Sequence, residues 1–295
     1  EHPFSNLQLK KIRLAIANTG EAPIIAYKKK AIETGIREAR GKLIVTTDAD
    51  CRFPETWLST LAAFHEANNA KFIAAPVRMW QCPGLLGVFQ TLDFITLQGI
   101  TGASVHQRFH SMCNGANLAY ERAAFFEVNG FAGIDSIPSG DDMLLMHKIA
   151  LRYPEHVFYL KSKAALVTTA PAASWKAFFH QRIRWASKAD RYQDKRIFRA
   201  LLLVYLVNAG FLVLAIAACW KSIWLFFLLL LLLAKTLIEF PFVQAAARFF
   251  DQQQLMWYFP FLQPLHIVYT IIAGWLGKFG SYQWKGRTIK KTQLR

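Results

Sequence analysis

The sequence predicts an α/β domain followed by membrane-associated helices, and three observations predict it. Short β-branched runs alternate with helical ones over the first half, the pattern of a layered α/β fold. Beyond residue 200, three long apolar segments follow one another. The charge shifts with them: residues 1–199 carry 26 Lys and Arg against 17 Asp and Glu, whereas residues 200–295 carry 9 against 2. A chain of 295 residues suffices for one substantial core plus a membrane region.

In chain order, residues 12–17 read as a short strand. Residues 27–40 read as a helix that places Ala31, Ile32, Gly35, Ile36 and Ala39 on one side, with Gly41 at its end. Residues 43–47 are a continuous apolar, β-branched run that stops at Asp48. A second helix is expected over 53–70 with Pro54 near its first turn, then a strand over 72–77. Residues 85–99 and 143–151 complete the helices of this half, and 117–120 a short strand.

Residues 200–219 hold no charge over 20 positions, enough to cross a hydrocarbon core of ~30 Å. Residues 223–243 contain a leucine run with Lys235 and Glu239 four apart, a spacing that pairs them on one helical face. Residues 259–277 are interrupted by Pro260, Pro264 and His266, giving a kinked span or a re-entrant segment. Ahead of these, residues 174–199 interleave Arg and Lys with Trp175, Phe178, Phe179 and Trp185, which suits a helix on an anionic membrane surface. The expected division is therefore 1–173 as the α/β domain, 174–199 as interfacial helix, 200–279 as two or three spans and 280–295 as a basic tail. If the first domain faces the cytoplasm, three full spans would leave that tail outside, against the positive-inside rule. One segment is accordingly expected to lie in the interface.

The formal charge of +16 suits nucleic acid, anionic lipid or phosphorylated ligands, and the apolar segments select membrane lipids. No nucleic-acid-binding module, P-loop or G-x-G-x-x-G is present, so no nucleic acid partner is expected. Cys51, Cys82, Cys113 and Cys219 form no C-x-x-C pair, which excludes a zinc knuckle and leaves reduced thiols. His106 and His110 lack the glutamate of a zinc-protease helix. Lys28-Lys29-Lys30 reads as a mixture of phosphate contact and solvated charge.

Three patterns carry candidate chemistry. Asp48-Ala49-Asp50 stands at the carboxyl end of the 43–47 strand, where open α/β sheets place ligands. Its alternating carboxylates suit Mg2+ or Mn2+ bound together with substrate phosphates. Asp141-Asp142 follows Ser139-Gly140 at a helix start, where capping competes with a role as general base. Gln181, Arg184 and Trp185 share one helical face; arginine suits diphosphate and indole suits a sugar ring, with membrane anchoring as the alternative.

In this order, these residues resemble the family 2 inverting glycosyltransferases, the group of cellulose, chitin and hyaluronan synthases. Lys28 with Ala31 and Gly35 resembles the family's K-x-x-A-x-N-x-G helix, though Glu33 replaces the Asn. Asp48-Ala49-Asp50 resembles its D-x-D, and Asn114 to Tyr120 its acceptor-side G-x-N segment. Gly140-Asp141-Asp142 resembles GDD or TED, Gln181 to Trp185 is an intact Q-x-x-R-W, and Trp284-Lys285-Gly286-Arg287 resembles a common ending. The resemblance spans roughly 12–290. It implies a GT-A nucleotide-diphospho-sugar fold, incomplete at its N-terminus because the nucleoside-binding strands lie upstream, with Glu1 an internal start.

It further implies a UDP- or GDP-sugar donor held by Lys28, Asp48, Asp50, Gln181 and Arg184, with the metal on Asp50 and Asp48. Asp142 would be the base, supported by Asp141, and Asn114, Gly115, Asn117 and Trp185 would meet a saccharide or lipid acceptor. Such an enzyme is multi-pass in the plasma (inner) membrane with its catalytic domain in the cytoplasm, and it makes surface polysaccharide or glycolipid. The alternatives are a channel or transporter subunit with a nucleotide-sensing domain, or an inactive remnant of the transferase.

Overall fold

The computed structural model describes residues 10–12, 26–110, 112–135, 137, 139–188, 194–284 and 287–290, so the strand expected over 12–17 lies outside the described residues except for its first position. Helix α1 (Tyr27–Glu38) leads into strand β1 (Leu43–Thr46). Helix α2 (Trp57–Asn68) is shorter than expected. Pro54 lies before it, its carbonyl accepting the Trp57 N–H, and the helix ends on Asn69 at φ 46°, a left-handed stop that Asn tolerates.

The strand expected over 72–77 is two strands, β2 (Phe72–Ala74) and β3 (Val77–Met79), belonging to different sheets. Pro76 lies between them and has no N–H to donate to a ladder. Helix α3 (Gly84–His106) runs a full turn and more beyond its expected end, and it is followed by β4 (Leu118–Glu121) and α4 (Arg122–Glu127). Helix α5 (Met143–Arg152), β5 (Val157–Tyr159) and β6 (Val167–Thr169) complete this half.

The main sheet has the order β1-β4-β2-β5, with β4 antiparallel to both neighbours and β2 parallel to β5. Alternation along the strands separates two cores. Phe72, Ala74, Leu118 and Tyr120 pack with Ile36, Leu145 and Ile149 on one face. Ile73, Ala75 and Ala119 pack with Trp57, Leu61 and Val167 on the other. Because Thr46 pairs with Leu118, the end of β1 and the turn before β4 share one edge of the sheet, and the site forms there. A separate parallel pair joins β3 to β6.

Helix α6 (Trp175–Ala186) starts at Ser174, whose hydroxyl accepts the Ala177 N–H. Helices α7 (Lys195–Ala218), α8 (Ile223–Phe249) and α9 (Phe259–Phe279) follow, and a backbone hairpin of β7 (Ser281–Trp284) and β8 (Arg287–Lys290) lies in the tail. Among the described residues, three helical stretches are long and apolar enough to cross a membrane: Lys195–Ala218, Ile223–Phe249 and Gln253–Phe279. The most apolar window of α8 has no buried residue, as a lipid-facing helix requires. The third segment is a continuous helix through Pro264, entered by a short 3-10 turn at Gln253–Tyr258. Lys235 and Glu239 pair as expected at 2.6 Å, and Gln263 of α9 bonds to both.

A third core joins the halves, with Phe89 and Leu92 of α3, Phe178 and Ile183 of α6, Val243 and Ala247 of α8, and Tyr269 and Ala273 of α9. Gly277 of α9 lies against the end of α6: a Cβ there would sit 2.8 Å from Ala186 Cβ and 3.0 Å from the Ser187 nitrogen.

Candidate active site

The site assembles where β1 ends and β4 begins. After β1 the chain turns at Asp48, with the Cys51 N–H donating to the Asp48 carbonyl at 3.1 Å. It is then fixed by Arg52, which exchanges two 2.8 Å backbone hydrogen bonds with Thr168 of β6. Asp48 and Asp50 are thus carried on a turn anchored at both ends, with Asp50 exposed and Asp48 half-buried.

Lys28 of α1 joins this turn to the second acidic pair. Its ammonium lies 2.9 Å from Asp48 Oδ1 and 3.0 Å from Asp141 Oδ2. Burial pulls the Lys28 pKa down, but Asp141 and Asp48 outweigh it and hold the group above an ordinary lysine. Gly115, in the turn before β4, faces the same cluster: a Cβ there would stand 3.4 Å from Lys28 Nζ and 3.6 Å from Asp141 Oδ2 and Asp142 Cβ.

The aspartates are positioned by a tight approach to α5. Gly140 has φ +83°, and a Cβ would stand 3.0 Å from Leu144 Cδ1, so both conformation and space favour glycine. Asp142 caps α5, its Oδ1 accepting the Met143 N–H at 2.8 Å. The buried Lys188 ammonium lies 3.8 Å from the same oxygen. Burial pushes the Asp142 pKa up, but Lys188 and the Met143 N–H outweigh burial and keep the carboxyl below its usual range.

Two lysines here escape a reading of sequence pattern. Lys29, next to Lys28, is buried, and its ammonium donates to the carbonyls of Ile134, Ile137 and Ser139 at 2.5, 2.8 and 3.1 Å. It ties α1 to the loop that delivers Asp141 and Asp142, and burial lowers its pKa to about 8. The 28–30 run therefore divides into a site cation, a buried tie and the exposed Lys30. Lys188 lies two residues past the end of α6, and nothing in the Gln181 to Trp185 run signals its link to the acidic pair.

The expected acceptor residues fare differently. Gly115 faces the acids, but Asn114 serves its own turn, its Oδ1 accepting the Ala116 N–H at 3.0 Å. Asn117 is fully buried. It accepts from Trp57 Nε1 at 2.9 Å and donates to the Pro76 and Ala165 carbonyls at 2.8 and 2.7 Å. Its amide therefore holds the turn before β4 to α2 and to the segments just ahead of β3 and β6.

On α6, Gln181, Arg184 and Trp185 are half-buried. The Gln181 Oε1 accepts from Arg182 Nη1 at 2.6 Å, and the Trp185 ring packs 6.4 Å from Phe94. Arg182, between them, is buried against Asp93 of α3. The helix meets the acidic cluster through Lys188 at its end.

No curated protein matches the chain at a significant level. Among solved structures, a crystal structure of S. aureus TarS 1-349 is similar at a TM-score of 0.37 and 13% identity, covering 92% of this chain and 77% of that one, too distant a likeness to carry an argument. The model of glycosyl transferase family 21 matches residues 8–293. With that match running over nearly its whole length, the chain belongs to glycosyl transferase family 21.

Proposed function

We propose that this glycosyltransferase is a membrane-bound, inverting enzyme of GT-A type, with motifs of the kind found in family 2. It moves a hexosyl group from a UDP- or GDP-sugar to a hydroxyl of a saccharide or lipid acceptor, in surface polysaccharide or glycolipid synthesis. The enzyme is multi-pass in the plasma membrane, and its catalytic domain faces the cytoplasm. The observation that carries the reading is the meeting of Lys28, Asp48, Asp141, Asp142 and Gly115 at one sheet edge, with Lys28 within about 3 Å of both acidic motifs.

Asp48 and Asp50 fit Mg2+ or Mn2+ as hard oxygen donors. Among the described residues no group of three His, Cys, Asp or Glu could hold an ion unaided, so an ion held by Asp48 and Asp50 would draw further ligands from the donor phosphates. When bound, the ion would neutralise charge on the departing diphosphate. Asp142 takes the proton from the acceptor hydroxyl, whose oxygen bonds to the anomeric carbon as the bond to the diphosphate breaks. The carbon inverts, and the electron pair leaves on the nucleoside diphosphate. Arg184, Gln181 and Lys28 bind that diphosphate by charge-assisted and neutral hydrogen bonds. Trp185 and Gly115 border the acceptor.

Membranes containing the protein, given a panel of radiolabelled UDP- and GDP-sugars with Mn2+, are expected to consume one donor. A single-sugar lipid product would identify a lipid acceptor, and long chains a saccharide. Consumption of no donor overturns the proposal.

A further inference from the structure

Arg182 occupies an unnamed position of the Gln181 to Trp185 run, yet it is the run's most constrained side chain. It is 3% exposed. Its Nε donates to Asp93 Oδ2 at 2.8 Å, its Nη2 donates to the same oxygen, and its Nη1 donates to Gln181 Oε1. The guanidinium carbon lies 4.3 Å from the Trp185 ring centroid and 4.5 Å from that of Phe178. The other Asp93 oxygen accepts the Tyr269 hydroxyl of α9 at 2.6 Å. Three helices far apart in sequence, α3, α6 and α9, therefore meet in one buried polar unit with every Asp93 oxygen engaged.

Stability alone does not account for such a unit, because a buried ion pair returns little over apolar residues of similar volume. What it does fix is rotation. Successive residues on a helix turn by about 100°, so seating Arg182 inward sets the arc on which Gln181, Trp185 and Arg184 lie. Arg182 also orients the Gln181 amide directly and holds the Trp185 ring against Phe94. Its anchor, Tyr269, is seated among aromatic rings, with Phe89 and Phe178 centroids at 5.6 and 5.5 Å.

We infer that Arg182, Asp93 and Tyr269 form a positioning unit that aims Gln181 and Arg184 at the donor diphosphate, with the apolar helix α9 as part of its mount. The inference rests on the donor-binding role proposed above for Gln181 and Arg184. None of the three positioning residues touches the reacting atoms. They act through α6, so the seating of α9 bears on donor affinity.

Tyr269→Phe removes one hydroxyl and leaves the ring packing intact, which makes it the most conservative probe. In the membrane-embedded protein, using the donor that wild type consumes, Tyr269→Phe is expected to raise the donor KM about tenfold. The melting temperature falls modestly because the buried Asp93 Oδ1 loses its donor, and the acceptor KM changes by less than the donor KM. Arg182→Lys, which keeps the charge but loses the fork, is expected to raise the donor KM at least as far. A role confined to stability would lower the amount of active enzyme, and hence the apparent kcat, with both KM values unchanged. That outcome, or a donor KM within twofold of wild type in both variants, overturns the inference while leaving the proposed function standing. If wild type consumes no donor, the proposed function fails and this inference with it.

Discussion

Asp142→Asn separates the observed capping role of this side chain from its proposed role as general base. As the cap of α5, Asp142 accepts the Met143 N–H at 2.8 Å, and asparagine caps about as well as aspartate. The cap survives the change, whereas alanine would cost about 1 kcal/mol. The lost charge is felt by Lys188, whose ammonium is buried 3.8 Å away. That distance is too long for a hydrogen bond, so the stability cost of leaving Lys188 unpaired is about 1–3 kcal/mol, toward the low end. Loss of a general base lowers kcat by about 10²–10⁴, equivalent to ~3–5 kcal/mol of barrier. The catalytic effect therefore exceeds the structural one. Initial rates on reconstituted protein, normalised to the folded fraction, are expected to show that fall in kcat with a donor KM near wild type. Asp141→Asn instead removes the negative charge 3.0 Å from the Lys28 ammonium and is expected to act mainly on the donor KM. If Asp142→Asn keeps more than about a tenth of kcat, or loses activity only in step with folded protein, Asp142 is a cap and not the base.

Asn117→Ala is expected to act on stability. It strands the Trp57 indole N–H and two carbonyls, at about 1–3 kcal/mol each, so folded yield drops while the acceptor KM of surviving enzyme stays constant. An increase in acceptor KM without loss of stability would support an acceptor role. Because Lys188 and the Met143 N–H hold Asp142 below the usual carboxylate range, its ionised form is present at neutral pH. The corresponding stability is present above the unfolded value of about 3.9 and is lost as pH falls through the lower folded value. The acid limb of kcat/KM is expected below about pH 4, and Lys188→Met is expected to move it upward; an unmoved limb refutes the pairing. Chelation is expected to stop transfer and Mn2+ or Mg2+ to restore it, with Asp48→Asn and Asp50→Asn raising the half-saturating metal concentration by about tenfold, or ~1.4 kcal/mol. Transfer that persists in chelator refutes the metal reading.

What was legible in the sequence was local. The run over 43–47 ends in a D-x-D turn because strand propensity and the break after it lie within a few residues, and β1 does end at Thr46. The Asp141-Asp142 pair was legible as a helix start for the same reason. The split of 72–77 was missed because all its residues but Pro76 suit a strand, and only sheet pairing shows that the two halves part company. Lys28, Lys29 and Lys30 are adjacent in sequence but about 100° apart on α1, so one charge run faces three environments. Composition gives no way to assign them. The framework contacts of Asn117 are not legible, because a buried amide and a ligand-binding amide look identical in sequence until their partners are known.

Arg182 presents the same difficulty across larger separations, since its partner Asp93 lies 89 residues upstream and Tyr269 lies 176 residues beyond Asp93. These pairings also bear on how the chain is divided. A linear reading separates catalytic residues to 173, an interfacial helix to 199 and spans beyond. The packing follows other lines: Phe178 and Ile183 of α6 share one core with Phe89 and Leu92 of α3 and with Val243, Tyr269 and Ala273 of the apolar helices. Removing α8 and α9 would expose that core and leave Asp93 and Arg182 without the Tyr269 hydroxyl. Gly277 adds a steric reason, since α9 approaches the end of α6 too closely for any side chain larger than hydrogen. The apolar helices are therefore part of the support on which the Gln181 to Trp185 run is held, as well as candidate membrane spans.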